Sequence, residues 1–318
     1  MAKSTLLKGL FIGSTVSMLY LLVMVFYHYF DNQEGFSIHA DLFNYYHTHY
    51  NFTNALDMHP TYLGIYYLTC LFFLREITNK KPIRLLWLGL LLFTLLFINS
   101  RVIFLILFLY GLLSYGQYLK KALVAKKSKI IVFSALAILI GGAVLSVMLS
   151  KTYIAHRLMN LYQFELSGNK EQSINQQNIG NPRWIRWQSA LTLIKEKPLL
   201  GHGTADEYIM LNEQFKKDGL KYVVDSNYNA HNQFLGYGIR FGILGIIVLF
   251  HFFVQNIRRA IILKDMAVFM SFVAIFLICL FENYFDRNFG ITFSAIFLTI
   301  FTYMMFEANP IQKETLDG

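Results

Sequence analysis

The sequence predicts an all-α, polytopic integral membrane protein with about eight transmembrane helices and one large extracytoplasmic loop. Of the 318 residues, 55% are hydrophobic and only 15% are charged, whereas a soluble domain is about 25% charged. The apolar residues also fall in blocks of about 15–23 residues, long enough for a helix to cross a hydrocarbon core. This composition excludes a disordered chain, a coiled coil and a disulfide scaffold, and it argues against an ordinary soluble enzyme.

Eight apolar blocks give the predicted spans. They lie near residues 5–27, 60–74, 85–98, 102–119, 130–149, 233–254, 266–281 and 289–306. We expect the first block to remain in the protein rather than be cleaved as a signal peptide, because its apolar run is too long and no small-residue cleavage site follows it before Asp31. Several blocks are short and need snorkelling flanks such as Arg84, or a locally thin bilayer, to complete a crossing.

The lysine and arginine residues predict which way the spans point. With the N-terminus in the cytoplasm, the short inside segments hold these cations: Lys3, Lys8, Arg75, Lys80, Lys81, Arg84, Lys120, Lys121, Lys126, Lys127, Lys129, Arg258, Arg259, Lys264 and Lys313. The short outside segments hold only Arg101 and Arg287. Because short cytoplasmic loops are enriched in Lys and Arg, we expect both termini inside and two regions outside, residues 28–59 and 150–232. The net charge of +9 is therefore attributed to topology.

Arg101 is predicted to lie in a tight hairpin at or just below the outer membrane surface. It follows Asn99 and Ser100 between two apolar blocks, with no other loop residues. One interpretation is an arginine that snorkels to lipid phosphate. The other is a cation that points into a cavity of the helix bundle, since charges inside membranes are costly and usually functional.

The long outer loop contains a predicted interfacial helix near residues 183–196. Pro182 fits a helix start, and Trp184, Trp187, Leu191 and Ile194 recur at helical spacing as one apolar stripe. Arg183 and Arg186 stand three residues apart and so share a neighbouring face. The helix is either a simple interfacial anchor or presents its arginine pair to a phosphorylated lipid head group, which the planar guanidinium fork binds bidentately.

Two histidines of the outer loop stand in glycine-rich surroundings. His202 lies between Gly201 and Gly203, where a tight turn lets backbone amides approach an anion. His231 lies at the outer mouth of the sixth span, which then continues with glycines at a spacing that allows close helix packing. A histidine in this place is either a hydrogen-bonded structural residue or a group that takes a proton from an acceptor or orients it.

Residues 28–59 contain five of the nine histidines, interleaved with aspartates. They show no standard ligand spacing, so we predict no metal site. The tyrosine, phenylalanine and asparagine content of this region is also typical of a sugar-contacting surface, which offers aromatic faces with polar edges. Cys70 and Cys279 both fall inside predicted spans, where they are expected to fill the core.

Three groups of residues, in this order along the chain, carry a resemblance to the O-antigen ligase and polymerase superfamily of bacterial envelope glycan assembly. They are Asn99-Ser100-Arg101 opening a span; Arg183-x-x-Arg186-Trp187 followed by Lys197-Pro198-Leu199-Leu200-Gly201-x-Gly203; and Ala230-His231-Asn232-Gln233-Phe234-Leu235 with Gly242-x-x-Gly245 after it. His59-Pro60-x-x-x-Gly64 extends the match. Members of the superfamily commonly have more spans than the eight predicted here, so the resemblance indicates a short member or one whose start lies upstream.

This resemblance implies a metal-independent, cofactor-free glycosyltransferase at the outer face of the bacterial inner membrane. Such an enzyme transfers a glycan from undecaprenyl pyrophosphate to an acceptor. The acceptor is lipid A core in ligases, the growing chain in polymerases and protein in a third group. The implied partners are the lipid-linked donor, the acceptor and membrane lipids, and no nucleic acid. The product is lipopolysaccharide or another surface polysaccharide of the cell envelope.

By the same resemblance, Arg101, Arg186 and His231 take the catalytic positions. The two arginines would hold the leaving pyrophosphate, because preorganised cations stabilise its charge. His231 would take a proton from the acceptor hydroxyl or orient it. We expect the three side chains to line one outward-facing cleft, within roughly 10–15 Å of each other, since leaving group and attacking hydroxyl meet at one carbon.

The remaining candidates are substrate-binding residues and alternative bases. The implied substrate-binding residues are Arg183, Trp187, His202, Asn232 and His59. Asp206, Glu207 and Asp225 are acidic alternatives to His231 as the base. A non-enzymatic transporter or flippase for an anionic, lipid-linked glycan is the alternative function. It would show charges or broken helices near the midplane and paired halves, and the sequence contains no visible repeat.

Overall fold

The computed structural model describes residues 2–31, 42–126, 152–160, 183–204 and 207–307, with a few isolated positions between 134 and 150. These residues form helices and turns without a β-strand, so the prediction of an all-α membrane protein is confirmed. The main helices are α1 (Ala2–Asp31), α2 (Pro60–Phe72), α3 (Lys81–Ile98), α4 (Arg101–Val124), α5 (Tyr153–Asn160), α6 (Arg183–Glu196), α7 (Glu207–Lys217), α8 (Gln233–Ile262), α9 (Met266–Cys279), α10 (Asn288–Phe293) and α11 (Thr299–Glu307). Shorter helical turns are Tyr50–Thr53, Asn54–Leu56, Leu74–Ile77, Lys221–Asp225, Tyr284–Asp286 and the π-helical Ser294–Leu298 that joins α10 to α11.

Five of the described helices are long and apolar enough to cross a membrane. They are Lys3–Asp31, Lys81–Ile98, Arg101–Val124, Gln233–Ile262 and Asn288–Met305, and each coincides with a predicted span. The shorter apolar helix Met266–Cys279 coincides with a sixth. The predicted span 130–149 lies outside the described residues apart from isolated positions. The count of about eight spans therefore stays a prediction.

The chain divides into two compact units, Met1–Met159 and Asn160–Gly318. In the first unit α2 packs against α1, α3 and α4, and every residue of α2 except Tyr66 is buried. Its 13 residues are fewer than the roughly 20 that cross a bilayer, and a helix of this length is more typical of a buried core. The prediction that residues 60–74 form a span therefore stays open.

The second unit contains a hydrophobic core outside its long apolar helices. α6, α7 and the turn Lys221–Asp225 bury apolar side chains against one another and against the start of α8: Ala190, Leu193, Leu211, Phe215, Leu220, Val223, Ala230 and Ile239. Much of the predicted outer loop is thus a folded helical layer. This layer supports the residues that immediately precede α8.

α8 is broken at Gly242, where φ is 65° and ψ is −158°. The turn that follows α6 lies against this break: Gly203 N–H donates to the Arg240 carbonyl at 3.0 Å, and Ile243 N–H donates to the Pro198 carbonyl at 2.8 Å. The interrupted helix leaves backbone groups without helical partners, and these bonds satisfy them. The glycine spacing predicted that Gly242 allows close packing of an unbroken helix. In the structure, Gly242 is the residue at which the helix is broken.

Candidate functional site

α6 turns Arg186 toward the interior of the second unit. The buried residues of this helix are Arg186, Ser189, Ala190 and Leu193, whereas Leu191 is 45% exposed. The helix therefore packs through the face that carries Arg186 and the small residues Ser189 and Ala190. The tryptophan stripe lies beside that face. This orientation distinguishes Arg186 from an arginine that reaches outward to lipid.

Arg186 and Trp187 both contact the segment that leads to His231. The Arg186 side chain is 7% exposed, its Nη1 donates to the Asn229 carbonyl at 3.4 Å, and its guanidinium lies 5.0 Å from the centre of the Tyr228 ring. Trp187 Nε1 donates to the Ala230 carbonyl at 3.0 Å. Together these contacts hold residues 228–230, which lead to His231, against α6.

His231, Glu282 and Arg183 form a chain of charged and titratable groups. His231 Nδ1 lies 3.1 Å from Glu282 Oε2, and Arg183 Nη2 donates to Glu282 Oε1 at 3.3 Å. The side chains of His231 and Glu282 are 21% and 12% exposed. A histidine oriented by a carboxylate has the arrangement of a general base and its orienting group. Arg183 pairs with the second oxygen of that carboxylate.

Burial lowers the pKa of His231 below its ordinary 6.5, although the hydrogen bond and charge of Glu282 oppose this effect; the charges of Arg186 and Arg183 lower it further. The ring is therefore neutral near pH 7. When neutral Nδ1–H donates to Glu282, the lone pair of the ring lies on Nε2. That nitrogen is the atom able to take a proton from a substrate.

The backbone around His231 and Asn232 is held by side chains. His231 has φ +48°, and its N–H donates to Asn229 Oδ1 at 3.0 Å. Asn232 caps α8 by accepting from Leu235 N–H at 3.1 Å, and its own N–H donates to Asn283 Oδ1 at 2.9 Å. Asn232 was predicted to bind substrate. Here it caps a helix, and a substrate role stays a prediction.

A partly buried charge cluster lies next to this site. Arg240 donates from Nη1 and Nη2 to the two oxygens of Asp286, at 2.9 and 2.5 Å, and from Nε to Glu207. Asn283 Nδ2 donates to Asp286 Oδ2 at 3.1 Å and to Glu207 Oε1 at 3.4 Å. Burial raises the pKa of Glu207, and Asp286 adds to this effect while Arg240 opposes it. Glu207, considered above as an alternative base, is thus an ion-pair partner.

His202 takes part in the packing of the turn against α8. Its side chain is 3% exposed, Nε2 lies 2.9 Å from the Leu193 carbonyl, and its N–H donates to the Ile239 carbonyl at 2.7 Å. Gly201 has φ +69° and packs on the backbone of Arg240. These contacts give His202 a structural task, and its predicted contact with substrate is not tested by them.

Arg101 and His59 belong to the first unit. Arg101 begins α4 directly after Ser100, whose hydroxyl lies 3.0 Å from Thr61 Oγ1 at the start of α2. His59 caps α2, with Nδ1 accepting from Thr61 N–H at 3.3 Å. The helix that His59 caps and the helix that Arg101 begins are therefore hydrogen-bonded to each other at their starts. The common cleft of Arg101 with Arg186 and His231 stays a prediction.

The order of motifs and their helical setting agree with a match to a family model described as O-antigen ligase, which covers residues 86–250. This is more than half of the chain. The chain belongs to the O-antigen ligase family. No curated protein matches the sequence.

The O-antigen ligase match confirms the resemblance drawn from the motifs, and it indicates a multi-pass membrane protein of glycosyltransferase type that takes part in O-antigen ligation or polymerisation. The matched residues include Arg101, Arg186 and His231. His59 precedes them, and Glu282 and Asp286 follow them. Glu282 and Asn283, which contact the His231 ring and the Asn232 N–H, thus lie beyond the matched segment.

Sequence reasoning missed Arg240, Glu282, Asn283 and Asp286. Arg240 carried a usable signal, because it is a charge inside a predicted span, and such charges are commonly paired and functional. The other three lie in a short turn between apolar blocks, without periodicity to interpret. Among the described residues no group of three or more His, Cys, Asp or Glu side chains could hold a metal ion, and metal-independent chemistry stays a prediction.

Proposed function

We propose that this O-antigen ligase family member transfers a glycan from an undecaprenyl-pyrophosphate carrier to an acceptor hydroxyl at the outer face of the bacterial inner membrane. The observation that carries the proposal is the chain Arg183–Glu282–His231, with Arg186 beside it. It combines a neutral, oriented base with two cations within one folded unit. Such a combination suits a reaction that takes a proton from a hydroxyl while a charged group leaves.

His231 serves as the base in this mechanism. Glu282 holds the Nδ1 side of the ring, so Nε2 accepts the proton of the acceptor hydroxyl as its oxygen bonds to the anomeric carbon. The glycosidic bond forms as the bond between that carbon and the pyrophosphate oxygen breaks. Glu282 then stabilises the protonated ring, as the carboxylate of a catalytic triad does.

The arginines stabilise the leaving undecaprenyl pyrophosphate. Among the residues that the structure describes, Arg183 contacts Glu282 through Nη2, and the other donors of its fork are proposed to bind phosphate oxygens. Arg186 lies one helical turn along α6 and adds a second cation from a buried position, where charge interactions are less screened than in water.

Transfer can be measured with the purified protein in liposomes containing undecaprenyl-pyrophosphate oligosaccharide and an acceptor. The readouts are glycosylated acceptor and released undecaprenyl pyrophosphate. We expect His231→Ala to lower the rate by at least about 100-fold, the scale of a lost general base. We expect Glu282→Gln to lower it by about tenfold or more, because the ring keeps its place but loses the charge that stabilises its protonated form.

Lys195→Ala is the matched control, since Lys195 is an exposed cation on α6. It should transfer glycan at the rate of the unaltered protein. Full activity of His231→Ala would contradict the proposed chemistry. Movement of the donor across the membrane without glycosylated acceptor would instead support the transporter alternative.

A further inference from the structure

Arg240 lies at the centre of a charge cluster that the proposed mechanism does not use. All three of its guanidinium nitrogens donate to carboxylates, two to Asp286 and one to Glu207. Two carboxylates surround this one arginine, so the cluster offers no excess of positive charge to a pyrophosphate. Arg240 is therefore unsuited to bind the leaving group, in contrast to Arg183.

Asn283 connects this cluster to the backbone beside His231. Its amide group donates to Asp286 and Glu207, while its Oδ1 accepts from Asn232 N–H at 2.9 Å. The Asn283 side chain is almost completely buried. Because Asn and Asp groups are held in a single hydrogen-bonded network, displacement of Asp286 must shift Asn283 or leave buried polar groups without partners, which is costly.

Two consecutive residues thus hold the histidine from two sides. Glu282 contacts the ring of His231, and Asn283 contacts the peptide that follows it. His231 also adopts φ +48°, a conformation that is uncommon for a residue with a side chain and that these contacts support. The position of the 282–283 segment therefore sets both the backbone and the ring of His231.

We propose that Arg240 is a positioning residue for glycan transfer: by fixing Asp286, and through it Asn283 and Glu282, it holds the His231 ring in its reactive orientation. This inference rests on the proposed function for the role of His231. The link itself, from the break in α8 to the histidine, rests on the hydrogen bonds described above. Arg240 contacts neither donor nor acceptor in this scheme.

A positioning role predicts a specific kinetic signature. Loss of Arg240 should lower kcat while the KM for the lipid-linked donor stays within about twofold, because the ground-state contacts of the donor are kept. Arg183→Ala should instead raise that KM, because Arg183 contacts phosphate. The difference between the two variants separates positioning from binding.

The test uses Arg240→Lys and Asp286→Asn in the liposome transfer assay. The lysine keeps the charge but loses the fork that holds both Asp286 oxygens, and the asparagine keeps the shape but loses one acceptor and the charge. We expect kcat to fall by at least about tenfold in each. Arg258→Ala, which removes an exposed cation on the same helix, should be unchanged. Thermal unfolding of each purified variant shows that it is folded.

A second readout does not depend on transfer. The rate at which diethyl pyrocarbonate acylates His231, followed by peptide mass spectrometry across pH, reports its neutral fraction. The groups that face His231 are Glu282, Arg183, Arg186 and Tyr228, and all are kept in the two variants. If the ring is released from its buried position, its pKa should rise toward 6.5 and its acylation should become faster above that pH.

The outcomes are distinct. A fall in kcat with unchanged KM, together with a raised pKa of His231, supports the proposal. An unchanged His231 pKa and an unchanged kcat in both variants overturn it. If the unaltered protein transfers no glycan but the variants shift the titration of His231, the proposed function fails while the positioning role of Arg240 stands.

Discussion

At the scale of single residues, His231 is subject to two opposing influences. Burial favours the neutral ring, and the carboxylate of Glu282 favours the protonated one; burial is the larger effect, so the pKa lies below 6.5. A base needs to be neutral before the reaction and stabilised once it carries the proton. The pairing of a buried ring with one carboxylate provides both conditions.

The rate of transfer should depend on pH through this ring. We expect a plateau near neutral pH and a fall as the pH drops through the lowered pKa of His231, because a protonated ring takes no further proton. In Glu282→Gln the interaction that raises the pKa is lost, so the acid limb should move to a lower pH as the plateau falls. A pH–rate profile from pH 4.5 to 8, at about half-unit steps, measures both effects. An acid limb that lies above 6.5 or does not move in the variant would be inconsistent with His231 as the base.

Arg186 should be sensitive to the shape of its side chain as well as to its charge. The guanidinium lies over Tyr228 and donates to the Asn229 carbonyl, and a planar fork binds phosphate bidentately. We therefore expect Arg186→Lys to lose about as much transfer activity as Arg186→Ala, at least about tenfold. Glycan transfer by the two purified variants, with Lys195→Ala as control, is the measurement. A fully active lysine variant would show that Arg186 acts through its charge alone.

At the scale of helices and turns, the main feature is the break in α8. The turn after α6 fills it, with Gly201 against the backbone of Arg240 and Gly242 against the backbone of Leu199. The two glycines allow this close approach because a Cβ at either position would meet the main chain. The break thus places Arg240 in the charge cluster and α6 beside the start of α8.

Gly242→Ala should destabilise the protein. The backbone angles at Gly242 belong to a region that is essentially restricted to glycine, and an added Cβ would collide with the Leu199 carbonyl. We expect a loss of about 1–3 kcal/mol of stability, seen as a lower midpoint of thermal unfolding in detergent. In Gly89→Ala, where a Cβ meets nothing within 4 Å, the midpoint should stay the same or rise, since alanine favours a helix over glycine.

The sequence predicted the elements better than their contacts. Helical spacing and Pro182 placed α6 at residues 183–196, and the structure has it at Arg183–Glu196, because helix boundaries depend on neighbouring residues. The pairing of His231 with Glu282, 51 residues away, has no local signal. Periodicity also gave no sign of the break in α8, since Gly242 and Gly245 fit equally well a helix that packs closely.

At the scale of the whole molecule, two compact helical units divide the chain near residue 160. The predicted site residues are shared between them, with His59 and Arg101 in the first and the others in the second. The second unit contains the groups of the proposed mechanism, namely His231, Glu282 and the arginine pair. The chemistry proposed above can therefore be tested on residues of one unit, independently of Arg101.

The predicted topology can be checked with reporter fusions. The bias of lysine and arginine toward the inside segments places Lys126 in the cytoplasm and Asn175 outside. Alkaline phosphatase should thus be active when fused after Asn175 and inactive after Lys126, and a cytoplasmic reporter should give the reverse. Two fusions that report the same side would show that the number of spans between them is wrong.

The break in α8 also bears on how the chain enters the membrane during synthesis. Beyond Gly242, residues 243–262 are about twenty in number and, at about 1.5 Å per residue, match the roughly 30 Å hydrocarbon thickness without the preceding turns. This segment is uncharged until Arg258 and Arg259 near its end. An arginine at the centre of an inserting helix costs about 2.5–3.5 kcal/mol. Because Arg240 precedes the break, we expect residues 243–262 to insert without that cost, and the charge cluster to form afterwards as the chain folds.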